Sequence, residues 1–434
     1  LGPKIVPRAE HGISRANISE NSLKVLYRLK NAGFGAFLVG GGVRDLLLGR
    51  HPKDFDVVTD AHPEQIKQLF RNARLIGRRF RLAHVRFGRD IVEVATFRAA
   101  ANGDADGAAD DRAHSESGRI LRDNVYGTIE EDIWRRDFTV NALYYNIADF
   151  SVWDFTTGFE DIRTRTLRLI GDPERRYRED PVRMLRAIRF AAKLGLTMAP
   201  GTAEPIFALG AHLRDVPAAR LFEEVLKLFQ SGHGVQSFEL LEQYKLFGYL
   251  FPSTAAVIAG EHGGHARALI RAGLANTDRR VAEDKPITPT FLYAVLLWPA
   301  IKSLTEHLLP QTGGNEHEAM AEACHRIVAE QVVRTSLPKR FSAPMREVLM
   351  LQRRFDQRQG TRGQRLLEHK RFRAAYDFLL LRATCGEVAQ ELADWWTEVQ
   401  HLAPGEQRES FGPSEERQPR RRRRRRRPRR NAVG

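Results

Sequence analysis

Apolar residues follow two patterns along this chain, short runs between turn signals at first and helical spacing later. Residues 1 to 18 read as extended. Ser19 then caps a helix carrying Leu23, Leu26 and Leu29 that stops near Gly33. The run Ala36, Phe37, Leu38, Val39 predicts a buried strand, Gly40, Gly41 and Gly42 a turn, and residues 43 to 48 the start of a helix. Phe55, Val57 and Val58 predict a further strand on which Asp54 and Asp56, two apart, share a face. Apolar residues at 85 to 87 and 91 to 95 flank Gly88, Arg89 and Asp90 as a hairpin, which puts Glu93 on a neighbouring strand. Residues 99 to 122, rich in Ala, Gly, Asp and Ser, read as a flexible loop without chemistry. Residues 138 to 145 have strand or buried-helix character. At Asp180 and Pro181 a helix opens, with Asp as N-cap and Val182, Leu185 and Ile188 as its buried stripe. From about 200 to 405 the pattern is that of repeated amphipathic helices, as in Leu366, Leu367, Phe372, Tyr376, Phe378 and Leu379, followed by Trp395 and Trp396.

Composition narrows the class. With 434 residues, 42% of them hydrophobic and 28% charged, the chain buries a large core and divides into two or three domains. Its two cysteines, Cys324 and Cys385, have no zinc-ligand spacing, and the 14 histidines form no metal-type cluster, which fits a reducing, cytosolic setting. The apolar run 291 to 301 is too short to cross a bilayer and reads as a buried helix. No signal peptide opens the chain, and a piece upstream of Leu1 is expected.

Charge is concentrated at one end. Residues 417 to 434 hold eleven arginines, Arg420, Arg421, Arg422 and Arg423 among them, and no acid; without them the formal charge falls from +15 to +4 (15 − 11). With Pro419 and Pro428 and no apolar periodicity this tail is expected to be disordered. It is a handle for nucleic acid, or less readily for an anionic membrane surface. A merely solubilising tail is the plain alternative. Arg371, Phe372 and Arg373 interleave charge and aromatic, which core packing with snorkelling arginines explains better than RNA contact.

The candidate chemistry lies earlier. A glycine turn lets backbone N–H groups approach a phosphate, and two carboxylates at Asp54 and Asp56 suit a magnesium ion that keeps substrate oxygens in its shell. Glu93 is a candidate third carboxylate, a solvated strand face being the ordinary reading of a lone glutamate there. Arg135, Arg136 and Asp137 before an apolar run would by themselves be a helix start with surface ion pairs. Arg183 and Arg186, one turn apart beside Asp180, form a face suited to reading a base, because a carboxylate accepts from an exocyclic amine and a guanidinium donates to ring nitrogens.

In their order and spacing these segments resemble the polymerase-beta-like nucleotidyltransferases, specifically the family of bacterial tRNA nucleotidyltransferases (CCA-adding enzymes) and bacterial poly(A) polymerases. The resemblance implies an α+β fold. A head of mixed sheet and helices spans 19–150 behind the extended segment 1–18. An all-α neck with the nucleotide-reading helix (151–260) follows, then a helical RNA-binding body (261–405) and a disordered arginine-rich tail (406–434). It also implies catalytic roles for Asp54, Asp56 and Asp137, with Asp54, Asp56 and Glu93 on Mg2+. Nucleotide contacts fall to Gly40, Gly41, Arg44, Asp45, Arg136, Asn141, Glu179, Asp180, Arg183 and Arg186. Arg220 and Glu223, on the segment 219 to 226, are supporting residues.

All members share this head, so other residues separate them. The segment 75 to 85, with Arg78, Arg79 and Arg81, resembles the one that marks the poly(A) polymerases, and its arginines suit phosphate contact. The implied activity is template-independent addition of AMP from ATP to RNA 3′ ends. Arg78, Arg79 and the arginines of the tail would hold the RNA. A CCA-adding enzyme is the alternative. The expected partners are mRNA and small RNA 3′ ends, ATP and the RNA-decay machinery, for a cytoplasmic monomer whose membrane association is open.

Overall fold

The computed structural model describes residues 2–77, 81–99, 112–114, 120–123, 125–261 and 263–412. Arg78, Arg79, Arg420, Arg421, Arg422 and Arg423 lie outside the described residues. The chain forms two compact units, Leu1–Tyr249 and Leu250–Gly434.

In the first unit the short apolar runs become one eight-stranded mixed sheet. Its strands are β1 (Lys4–Val6), β2 (Ala36–Val39), β3 (Asp56–Thr59), β4 (Ala73–Ile76), β5 (Leu82–Phe87), β6 (Asp90–Thr96), and, later in the chain, β9 (Leu143–Asn146) and β10 (Val152–Asp154). The spatial order is β1-β10-β9-β2-β3-β6-β5-β4. All neighbours run antiparallel except β3 and β6, which pair in parallel with Val57 opposite Val94. Such a pair needs a crossover. The chain supplies one through β4, β5 and the helix Pro63–Leu69. Strand β2 is buried along its whole length between β3 and β9, so it reads as a continuous apolar run rather than an alternating one.

Ser19 caps α1 (Glu20–Asn31) by accepting from Ser22 N, and the buried stripe is Ser22, Val25, Leu26 and Leu29, with Leu23 at its margin. The core beneath the site gathers Phe37, Val39, Val58, Phe97, Ile133 and Tyr144. Several local expectations differ from the structure. The opening segment holds β1 and two 3-10 turns, Arg8–Glu10 and Arg15–Asn17, because the strand has an edge to join on β10. The stretch expected to be a loop from 99 to 122 contains β7 (Arg112–His114), which pairs with β8 (Ile120–Asp123). Residues 138 to 145 divide into a 3-10 turn, Thr139–Asn141, and β9.

Helices take over after β10. Three helices, α2 (Gly41–Leu47), α3 (Pro63–Leu69) and α4 (Ile129–Trp134), lie between the strands, and after β10 come α5 (Gly158–Arg163), α6 (Pro173–Glu179), α7 (Val182–Leu194), α8 (Pro200–Leu209) and α9 (Ala218–Phe229), among others. The exception is a two-residue parallel pair, Thr166–Leu167 with Thr197–Met198. Among its described residues the second unit is helical. Its helix Pro289–Leu308 is buried from Leu292 through Ile301, and no described helix is long and apolar enough to cross a membrane. Trp396 is fully buried and donates its indole N–H to Phe355 O (3.0 Å), so the aromatics read as core do form core. Phe372 is buried as well, while Arg371 pairs with Glu347 and Arg373 with Asp377.

Gly158 is the tightest point near the site, since a Cβ there would stand 2.3 Å from Thr139 O. Gly158→Ala is expected to lower stability by about 2 kcal/mol, the scale of an overpacked core, measured as a shift of the urea midpoint. An unchanged midpoint would show that the 139 turn yields freely.

Candidate active site

Strand β2 ends at Val39, opposite Asp56, the first residue of β3. Gly40 then turns the chain with φ +72°, a conformation that favours glycine. Only this glycine makes the turn; Gly41 and Gly42 already belong to α2. The expected three-residue turn is shorter because Gly42 packs against the next loop, its Cβ position lying 3.2 Å from Phe55 and 3.4 Å from Asp54 O. Asp54 lies on that loop two residues before β3, not on the strand as expected. Both residues keep a face open to solvent, although protein packs around the Asp56 carboxyl. The parallel register places Glu93 on β6 beside Asp56, with its Oε1 3.2 Å from His84 Nε2. Burial raises the Asp56 carboxyl above its ordinary range, and the charges of Glu93 and Asp54 add to this, with Arg136 opposing. Negative charge is thus in excess at this strand end, which suits a divalent cation. Among the described residues no three or more His, Cys, Asp or Glu form a ligand group. Two carboxylates with substrate oxygens are the arrangement that Mg2+ accepts.

Arg136 supplies the opposing charge. It follows α4, so the Arg-Arg-Asp segment ends a helix instead of starting one. Asp132 Oδ2 accepts from Arg136 Nη2 (2.8 Å) and Nε (3.2 Å) and from the Tyr144 hydroxyl (2.8 Å). Tyr144 OH in turn accepts from Arg136 Nε (2.8 Å). Burial works against the guanidinium's charge, but Tyr144 and Asp132 more than reverse this and keep it charged. The position of a Cβ on Gly40 would be 3.8 Å from both Arg136 Nη1 and Asp56 Oδ2. One end of Arg136 is therefore fixed, and the other stands by the carboxylates.

Asp137 faces a different way. Its Oδ2 takes Arg186 Nε (2.8 Å) and the adjacent Nη2, while Oδ1 accepts from Phe138 N (2.8 Å) and Asn141 Nδ2 (3.1 Å). Burial alone would push this carboxyl up; Arg186, Asn141 and Phe138 together hold it below the ordinary range. Asn141 Oδ1 accepts from Arg44 Nη1 (2.6 Å), and Arg44, buried over the Phe190 ring, also pairs with Asp45 (2.7 Å). Arg44 thereby ties α2 to the 139 turn.

The residues expected to read the base meet at the junction of α6 and α7. Asp180 ends α6, and its Oδ1 accepts from Val182 N (3.2 Å), so it caps α7 although that helix begins one residue later than expected. Its Oδ2 accepts from Arg220 on α9 (2.7 Å). Arg183 donates to Arg176 O (2.7 Å) and Glu179 (3.2 Å), and Glu179 also pairs with Arg175 and Arg176.

A cavity of about 660 Å3 opens among these groups. It is lined by Gly40, Gly41, Arg44, Asp56, Arg136, Asp137, Asn141, Asp180, Arg183 and Arg186, as well as Arg220 and Glu223. Glu224 and Lys227 also line it and were not singled out in the sequence. Glu224 is buried, 2.8 Å from Lys227 and 3.9 Å from Arg189, whose guanidinium burial makes less basic. Helical spacing pairs Glu224 with Lys227, but two adjacent glutamates gave no sign of which one is buried.

An acidic strand end facing a basic cavity is a layout for handling nucleoside triphosphates, and the comparisons agree. Residues 36–168 match the family described as Poly A polymerase head domain. Residues 195–258 match one described as a probable RNA and SrmB-binding site of polymerase A, and 312–431 the arginine-rich C-terminus of polymerase A. The fold resembles the Bacillus stearothermophilus CCA-adding enzyme in complex with CTP (TM-score 0.57, 25% identity, covering 89% of this chain and 82% of that one). The protein is a nucleotidyltransferase with an α+β fold. Poly(A) polymerase I of Escherichia coli O157:H7 is 50% identical over 409 residues, 93% of this chain and 87% of that one. The Haemophilus influenzae poly(A) polymerase I is 46% identical over 430 residues, 98% and 94% of the two chains. This chain belongs to the poly(A) polymerase I family.

Asp137→Asn is expected to cost roughly 2 kcal/mol at neutral pH, the scale of a hydrogen bond to a charged group. Because the folded carboxyl is lowered, that difference is complete above the ordinary Asp range near pH 4 and disappears as pH falls through the lowered folded value. Denaturation of both proteins between pH 7 and pH 2.5 tests this. A gap independent of pH would mean that the Asp137 charge is not what is lost.

Proposed function

We propose that the protein is a template-independent polynucleotide adenylyltransferase that joins AMP from ATP to RNA 3′ ends and releases pyrophosphate. The observation that carries this reading is near-full-length identity of about half to enzymes called poly(A) polymerase I, against a quarter to the CCA-adding enzyme of similar fold.

In this reading Asp54 and Asp56, with Glu93 behind them, hold Mg2+. When bound, that ion makes the RNA 3′-hydroxyl a better nucleophile and offsets the triphosphate's charge. The hydroxyl oxygen forms a bond to the α-phosphorus as the bond to the bridging oxygen of pyrophosphate breaks, with no covalent enzyme intermediate. Arg136, fixed at one end by Asp132 and Tyr144, presents Nη1 beside Asp56, where the departing phosphates gain charge. Asp180 accepts from the exocyclic amine of adenine and Arg183 donates to a ring nitrogen, so protein groups choose the nucleotide. Arg220 and Glu179 hold this pair in place before the base arrives. Asp137 acts through Arg186, setting the guanidinium over the triphosphate, and Asn141 and Arg44 brace the ribose side. Arg78, Arg79 and the tail arginines would track the RNA backbone. The context is RNA decay in the cytoplasm.

The test is extension of a labelled unstructured RNA with Mg2+ and each of ATP, CTP, GTP and UTP, beside a tRNA lacking its terminal CCA. A long ladder with ATP alone on the generic RNA is expected; addition confined to the tRNA and ending after CCA would replace this reading with the CCA-adding one. Asp54→Ala and Asp56→Ala should each reduce incorporation by at least about 1000-fold, on the scale of a lost electrostatic stabiliser, with little change in thermal unfolding. Residual activity within tenfold of wild type would reject the metal-holding role of the residue concerned.

A further inference from the structure

The helical second unit contains its own concave site, used by nothing described so far. A cleft of about 480 Å3 lies where the helix Lys339–Leu351 gives way to the 3-10 turn Gln352–Arg354, with His317 and His369 also on its lining. Met350 and Leu351 give it an apolar wall. The polar groups are mostly donors. His369 Nδ1 accepts from the backbone N–H of Arg371 (3.1 Å), which leaves the proton of the neutral ring on Nε2. Arg353 pairs with Glu316, and Glu347 pairs with both Arg371 (3.2 Å) and Lys370 (3.5 Å). Arg354 makes no ion pair among the described residues and is only partly exposed. Of these charged groups Arg353, Arg354 and Glu347 line the cleft, two cations to one carboxylate that is already paired outside it, and Arg354, the cation without an acid, is on its wall. The site calls for an anion. Its volume is larger than a lone phosphate needs and falls in the range of small-ligand pockets.

We propose that this cleft is a subsite for one nucleotide of a single-stranded RNA. The phosphodiester lies against Arg354 and the His369 Nε2–H, and the base lies on Met350 and Leu351. An arginine fork matches phosphate oxygens, and a base face packs on apolar side chains without regard to sequence, so the subsite grips the strand without selecting it. The proposal rests on the reading of RNA as substrate.

It is tested by fluorescence anisotropy of a labelled 18-nucleotide oligoadenylate bound to the full chain without ATP, between 50 and 200 mM salt. Wild type, Arg354→Glu, Arg354→Lys and Arg326→Glu are compared, the last reversing an exposed charge of the same unit that pairs with Glu322. Arg354→Glu should weaken binding about tenfold and flatten the salt slope by about 0.7, the value for one neutralised phosphate on a single strand. Arg354→Lys should stay within about threefold of wild type, and KM for ATP should not move. Wild-type affinity and slope in Arg354→Glu, or an equal loss in Arg326→Glu, would overturn the subsite. So would a change confined to binding of free ATP. If Arg354→Glu unfolds early, Arg354→Gln replaces it with the same expectation at about threefold. A chain that binds RNA through Arg354 yet extends it with no nucleotide would reject the adenylyltransferase reading and leave the subsite standing.

Discussion

The first unit turns on one ion pair, Asp137 with Arg186. Asp137 leaves the end of α4 just before the 3-10 turn that enters β9, and Arg186 lies one turn into α7. Their contact is one of the points at which the sheet that carries the acids and the helix that carries the arginines are fixed to each other, beside the packing of Phe138 on Phe190. The carboxylate remains ionised despite burial because four donors converge on it. From there the constraint spreads through Asn141 to Arg44, and through Arg44 to α2 and Asp45. In the proposed reading Asp137 serves not by holding metal but by anchoring the Arg186 guanidinium that lines the cavity.

Charge in the cavity is arranged in shells. At the strand end acids outnumber their partners, and the Asp56 carboxyl is pushed up, first by desolvation and then by the charges of Glu93 and Asp54. Around it each arginine has an assigned acid or carbonyl: Arg136 has Asp132, Arg186 has Asp137, Arg220 has Asp180, and Arg176 donates to Arg136 O. A free guanidinium beside the carboxylates would simply neutralise them. With the arginines tied back, the acidic pole stays available for the proposed cation and the basic wall for the proposed phosphates.

Much of this was legible in the sequence because it depends on local rules. A buried β2 reads as four apolar residues, a Ser cap as Ser19, a hairpin as Gly88, Arg89 and Asp90 between apolar runs, although Asp90 already belongs to β6. The acids and the reader helix were recoverable from spacing together with family resemblance. What stayed hidden depends on partners distant in sequence. Nothing local says that Asp180 meets Arg220, forty residues on, or that Asp132 and Tyr144 clamp Arg136. The β7 and β8 pair was missed because its composition is that of a loop. Gly42 looked like part of a turn until Phe55 was found against it. The fold was therefore easier to read than the second layer of contacts, which sequence pattern does not encode.

Glu179 holds Arg175, Arg176 and Arg183 together on a single carboxylate. If Arg183 turns to a nucleotide, it leaves an exposed glutamate that still has two cations. For Arg183, occupying the proposed site is then a trade of partners instead of the creation of a new ion pair. Release is eased in the same way, since Arg183 returns to an acid already waiting.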